Sequence, residues 1–262
     1  MQTRGIPLLA SIGEAVLSAM TFVGECTLIL VDAFKRGGRG YLEVGETINQ
    51  MAFIGAASIP IVALTTFSSG AVISLYSADI LVKYGAANLA GATVALSVVR
   101  EIAPVLAGIM VAARAGSAMA AQIGTMAVTE QLDALTALNV HPTKYLVIPR
   151  LVAAVTVLPI LCLVGCYTGI LGGYLVSVYA SSVPHGSFVQ SMQQWLEPKD
   201  FWGAMLKTAV FGLIVSLVAC QQGLRTRNGA VGVGQATTAT VVITMVLIYL
   251  ANFALTWLLF KS

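Results

Sequence analysis

RAGSAMAAQIGTMAVTEQLDALTALNVHPTKYLVIPR, residues 114 to 150, is the one long polar interruption between charge-free apolar runs in this chain. A break of that kind belongs in water or against another protein. Its middle has the pattern of a short amphipathic helix. Thr129 is a good N-cap, and Glu130 and Asp133 follow in the first turn, where the helix dipole favours acids. Leu132, Leu135 and Leu138 share one face, while Glu130, Gln131, Asp133 and Thr136 occupy the rest. Asn139 suits a left-handed C-terminal turn, and Pro142 prevents continuation. A rod of about nine or ten residues is about 14 Å long, far too short to cross a bilayer. The stretch predicts a handle outside a membrane, gripped by a partner.

Composition says what surrounds the handle. Hydrophobic residues make up 58% of the 262 and charged residues 10%, with a mean hydropathy of +0.89. A soluble domain carries about 25% charged residues. No charge occurs from Asn49 to Ala78, from Leu151 to Leu196, or from Asn228 to Phe260. Runs of about 20 apolar residues are transmembrane candidates. The chain therefore reads as one all-α polytopic membrane domain over residues 1–262. A net charge of +3, scattered along the sequence, gives no footprint for nucleic acid.

Working outward from the handle, residues 8–35 form a helical pattern with a narrow polar stripe of Ser11, Glu14, Ser18, Thr21, Glu25 and Asp32. Such a helix lies in the membrane surface rather than spanning it. Glu14 and Glu25 interrupt the apolar region that a cleaved signal peptide would need. KRGGRG at 35–40 is a basic turn. Five spans follow: 51–76 with Pro60 inside, 86–113, 151–178 with Pro159 inside, 203–220 and 236–260. A short loop carries Asp79 and Lys83 between the first two. A polar hairpin with Pro184, His185, Glu197, Pro198 and Asp200 precedes the fourth, and QQGLRTRNGAVGVGQ precedes the fifth. With the N-terminus inside, the inner side holds Arg4, Lys35, Arg36, Arg39, Arg114, Lys144, Arg150, Arg225 and Arg227. The outer side holds Lys83, Lys199, Lys207 and Lys261. That bias puts the handle in the cytoplasm and the C-terminus outside.

The second span holds adjacent charges, Arg100 and Glu101. Each costs on the order of 2.5–3.5 kcal/mol near the bilayer centre, so both must be shielded from lipid. Neighbours on a helix point about 100° apart, so each needs a partner on another helix, a water or a ligand headgroup. Pro104 adds to this, because its missing N–H frees the carbonyl of Arg100 and its ring kinks the helix. The two open readings are a polar pocket at membrane depth and a structural ion-pair network between helices.

Other motifs exclude more than they assign. Cys162 and Cys166 lie one helical turn apart, but with no His or acid nearby in sequence they read as small buried hydrophobes, as do Cys26 and Cys220. Gly165, Gly169 and Gly173 form a doubled GxxxG stripe for close helix contact, within the chain or between two copies. The glycines at 229, 232 and 234 lack the strand and the Lys-Ser/Thr of a phosphate loop, and GxxxxGK[ST] occurs nowhere. No HExxH, GxSxG or intramembrane aspartate pair is present. The chain is expected to be a non-catalytic subunit with no cofactor of its own.

RAGSAMAAQIGTMAVTEQLDALTALNVHPTKYLVIPR resembles the signature of the MlaE/YrbE permease family, the membrane subunits of ABC transporters that move phospholipids between membranes with MCE-domain proteins. ALSVVREIAPVLAGIMVAARAGS before it and GAVGVGQATTATVV after the fourth span are also similar. The resemblance covers most of the chain from about residue 45. It implies an N-terminal interfacial helix and five spans in a bacterial inner membrane, N-terminus cytoplasmic and C-terminus periplasmic. It also implies a homodimer, two ATPase subunits that use ATP, an MCE-domain protein and possible small regulatory subunits. The 114–142 segment would be the coupling segment, with Glu130, Gln131, Leu132, Asp133 and Leu135 against the ATPase. Arg100, Glu101 and Pro104, with Val72, Ile73 and Tyr76 at the end of the first span, would line the lipid cavity. Gln122 stands where the family usually has Glu, and Asn139 where Gly is common. A competing reading from another class is an ion- or proton-coupled secondary transporter that uses Arg100 and Glu101. A scaffold that only anchors partners explains the handle but not the buried charges.

Overall fold

The computed structural model describes residues 6–37 and 43–260, with no strand among them. α1 is Ile6–Gly37. The first long apolar run forms α2 (Val44–Gly55) and α3 (Ile59–Lys83), with a break between them. Pro60 explains the break: it has no N–H, and its ring crowds the carbonyl four residues back, that of Ala56. α4 is Ala87–Val128, interrupted by π-helical turns at Val98–Ile102 and Ala112–Gly116. α5 is Gln131–Ala137, α6 is Thr143–Tyr179 and α7 is His185–Trp195. α8, Pro198–Leu224, and α9, Gly229–Phe260, complete the chain. Among the described residues, six helical runs are long and apolar enough to cross a membrane. Five overlap the stretches expected as spans, and the sixth, Val16–Lys35, belongs to α1, the helix expected to lie along the membrane surface.

α6 is the centre of the bundle, with α2, α3, α4 and α8 packed on it. Its glycine stripe resolves to a contact within the chain. A Cβ at Gly70 of α3 would sit on the carbonyl of Gly169, and one at Gly172 on that of Phe67. Backbones this close let hydroxyls bridge the seam: Thr66 Oγ1 and Thr168 Oγ1 are 2.7 Å apart, and Ser74 Oγ donates to the Gly173 carbonyl at 2.7 Å. With no hydrophobic drive between helices in lipid, small residues and such bonds hold the contact. Gly70→Ala is expected to wedge α3 from α6 and lower stability by about 1–3 kcal/mol. Thermal unfolding of the purified protein in nanodiscs checks it; an unchanged midpoint would show that the seam can open without cost.

The polar break is shorter than its sequence predicts. Residues 114–128 extend α4 inside the bundle, where Ala115, Met119, Ala120 and Ile123 are fully buried. The segment is rich in Gly, Ser and Ala, the small residues that favour close helix packing. Thr129 ends this helix instead of capping the next. Its Oγ1 donates back to the Thr125 carbonyl at 2.8 Å, and Glu130 opens α5 with a left-handed φ of 61°. Asn139 takes φ 58°, the left-handed turn its sequence position predicts. The stretch 221–235 is mostly helix, because α8 runs to Leu224 and α9 starts at Gly229. Asp79 and Lys83 lie on α3, and the polar hairpin contains α7. The basic turn at 35–40 falls partly outside the described residues, as do Arg4, Arg39 and Lys261 entirely.

Candidate functional site

Arg100 and Glu101 lie in the first π turn of α4, where the Ala103 N–H reaches five residues back to Val98. Each finds its partner on another helix. Arg100 Nε donates to Asp200 Oδ1 at 2.9 Å, its Nη2 lies 2.8 Å from the same oxygen, and its guanidinium stands over the Phe260 ring at 5.0 Å. Glu101 Oε1 accepts from Lys207 Nζ at 3.0 Å and from Thr256 Oγ1 at 2.8 Å, while Oε2 accepts from Asn252 Nδ2 at 2.7 Å. Lys207 Nζ also donates to the Arg100 carbonyl at 2.8 Å, the group that Pro104 frees. The lysine thus answers both the carboxylate and the proline-broken backbone.

Local sequence explains how α8 and α9 present these groups. Glu197-Pro198-Lys199-Asp200 is a helix start: Glu197 and Asp200 form a reciprocal capping box around Pro198 in the first turn. Asp200 is fully buried, with Oδ2 accepting the Glu197 N–H at 3.0 Å and Oδ1 left for Arg100. Lys207 follows seven residues on, two turns along the same face, also fully buried. On α9, Asn252 and Thr256 are four apart and share a face in the same way.

Glu101 of the second pair borders an open cavity of about 560 Å³ between three helices. α3 contributes Ser68, Ser69, Val72 and Ile73; α4 contributes Glu101, Ile102, Val105 and Leu106; α9 contributes Tyr249 and Asn252. Of the six expected cavity residues, Val72, Ile73 and Glu101 line it. Arg100 turns away to Asp200, Pro104 is buried in the helix contact, and Tyr76, 68% exposed, lies outside the lining. The wall is apolar and only one corner is charged. Glu101, its side chain 41% exposed, is the one ion-paired group that faces the space, with Lys207 wholly behind it.

Sequence reasoning missed Asp200, Lys207, Asn252 and Thr256. Asp200 was assigned to a loop and Lys207 to the outer-side charge count, yet the capping box and the seven-residue spacing were both legible. Asn252 and Thr256 sit in a charge-free run and leave a weaker signal, a four-residue spacing of polar groups.

At the opposite end, α5 stands clear of the bundle. Glu130, Gln131 and Asp133 are exposed, Leu132 and Leu135 half-buried, and Leu138 is 75% exposed. Gln122 is exposed, and its Oε1 accepts from Arg150 Nη2 at 3.1 Å. Nearby, α1 meets the end of α8 through Glu25, which accepts from Gln221 Nε2 at 2.7 Å and lies 3.5 Å from Arg225 Nη1. The four cysteines are free and buried, and no group of three His, Cys, Asp or Glu among the described residues could hold a metal ion.

Comparison with known proteins agrees with this architecture. The model of the family described as Permease MlaE matches residues 47–258. A probable ABC transporter permease protein of Rickettsia bellii (strain RML369-C) is 42% identical, over 96% of this chain and 97% of its own. One of Synechocystis sp. (strain ATCC 27184 / PCC 6803 / Kazusa) is 38% identical, over 89% and 91%. The Arabidopsis thaliana chloroplastic protein trigalactosyldiacylglycerol 1 is 35% identical, over 86% of this chain and 64% of its own. An all-α bundle of six membrane-length helices, matched by one family model over most of its length, belongs to the MlaE permease family.

Proposed function

We propose that this permease is the transmembrane subunit of an ATP-driven ABC transporter that carries phospholipid between membranes. The observation that carries the reading is the cavity, with apolar walls from α3, α4 and α9 and a charged corner at Glu101. An acyl chain suits the walls and a headgroup the corner. α4 carries this corner and runs on to Val128, two residues short of α5, so force applied at α5 has a short path to the cavity. The exposed acids of α5 fit a basic or amide-rich groove on an ATPase subunit.

In the arrangement we propose, two copies face each other across their cavities in a bacterial inner membrane. Two ATPases grip α5 from the cytoplasm, and an MCE-domain protein receives or delivers lipid on the periplasmic side, with the C-terminus. Orientation rests on the Lys and Arg bias, which sharpens once buried Lys207 leaves the outer-side count. Residues 16–21 of α1, exposed with both polar Ser18 and Thr21 and apolar Leu17 and Met20, and exposed Glu14 before them, suit the membrane interface.

A photo-crosslinking residue at Val72 tests the cavity in cells. The expected adduct is a phospholipid; a Val72 probe that captures only protein would remove lipid from the site. Proteoliposomes separate the reading from a secondary transporter. Lipid movement should need ATP and the ATPase, whereas flux driven by an ion gradient alone would favour the Glu101–Lys207 pair as an ion path.

A further inference from the structure

The break between α2 and α3 is held from outside by one side chain, Arg114 of α4. Around the break the backbone improvises: Ala56 N–H bonds the Ala52 carbonyl at 3.0 Å, Ser58 N–H the Gly55 carbonyl at 2.9 Å, and Val62 N–H the Ser58 carbonyl at 3.0 Å. In an unbroken helix the Phe53 carbonyl belongs to the N–H of Ala57. Here it accepts from Arg114 Nη1 at 2.9 Å. The same nitrogen donates to Ser58 Oγ at 3.2 Å, and the guanidinium stands over the Phe53 ring at 5.3 Å. Phe53 precedes the break and fully buried Ser58 closes it. One planar cation therefore ties both sides.

Arg114 itself lies in the second π turn, Ala112–Gly116. A π turn holds one residue more than the α-helix it interrupts, and such turns recur at functional sites. From Arg114 the helix runs on to Val128 and α5. From Ile59, α3 runs to Ser68, Ser69, Val72 and Ile73 on the cavity wall, about 14–21 Å along the helix axis. Two discontinuities, one on each helix, meet at this guanidinium.

We infer that Arg114 is a joint: a positioning residue through which movement of the α5-bearing end of α4 swings α3 and reshapes the cavity. Rigid helices that meet at an adjustable turn are what coupling between distant sites requires. Arginine suits the role because its planar fork can donate and stack at once, where lysine offers a single point charge. The inference rests on the ATP-driven reading above.

The test uses the whole transporter with its ATPase, in proteoliposomes carrying a fluorescently labelled phospholipid. Arg114→Met is expected to assemble and hydrolyse ATP within about twofold of wild type, while lipid moved per ATP falls about tenfold, a usual size for coupling between sites. Arg114→Lys should fall between. Pro60→Ala lets the helix close and should lower the same ratio. The double variant should be no worse than the lower single, since both act through one break. Equal lipid per ATP in Arg114→Met, or independent, multiplying losses in the double, overturns the joint and leaves the transport reading standing. If the wild-type transporter moves no lipid with ATP, both fall. Should Arg114→Met not assemble, spin labels at exposed Ala52 and Leu64 of the otherwise wild-type chain decide. Their separation should change between nucleotide-free and nucleotide-trapped transporter, and a fixed separation overturns the joint.

Discussion

Lys207→Met is expected to lower the stability of the protein by about 3 kcal/mol and to abolish lipid movement. The lysine is fully buried and answers three groups at once: Glu101 Oε1, the Arg100 carbonyl and Thr256 Oγ1. Removing it leaves a carboxylate at membrane depth without its cation, which for buried pairs costs about 3–5 kcal/mol. The lower end applies because Glu101 opens to the cavity on one side. Removing both charges is a different case. Lys207→Met with Glu101→Leu should recover most of the stability, falling about 1 kcal/mol short because the Arg100 carbonyl still lacks a donor. Transport should stay lost, since the cavity no longer has a charged corner. Thermal unfolding in nanodiscs and ATP-driven movement of labelled phospholipid read the two separately. A double variant that transports normally would make the pair a purely structural fastening.

Glu130→Lys combined with Asp133→Lys should cost the transporter its motor. Both acids are exposed, so folding stability should change by no more than about 0.5 kcal/mol. Across an interface, by contrast, like charges brought together cost several kcal/mol. The ATPase retained by the affinity-purified permease is expected to drop by at least about tenfold, while the permease stays in the membrane at its usual level. Full retention of the ATPase would mean that the motor grips some other surface. Leu132 and Leu135, the two half-buried leucines of α5, are left intact.

How far this could be seen in advance depended on which physical rule was local. Arg100 and Glu101 announce themselves because a charge in an apolar run has no cheap alternative to a partner, and Pro104 frees a carbonyl whatever the fold. Both demands were met, by Asp200 and by Lys207. The identity of those partners was obscured because Asp200 and Lys207 lie near a helix start, where a charge looks like a loop charge. Asn252 and Thr256 were hidden by hydropathy averaging over α9. The cavity needed α3, α4 and α9 placed in space, and for that reason Val72 and Ile73 were legible only by resemblance, while Tyr249 was not seen. Small residues misled in the other direction. The Ala, Gly and Ser of 115–121 made the segment look like water-facing chain, when the same smallness lets α4 press against its neighbours. The Pro60 break was written in the sequence, but the side chain that holds it, 54 residues later, was not.

Nucleotide acting at α5 is expected to change the shape of the cavity beside Glu101. The most direct measurement is the distance between spin labels at Ile73 and Tyr249, on facing walls, in the assembled transporter. That distance should shift by several ångström when a non-hydrolysable ATP analogue is added and should ignore an imposed proton gradient. A distance that holds still with nucleotide, and moves with the gradient instead, would contradict the account.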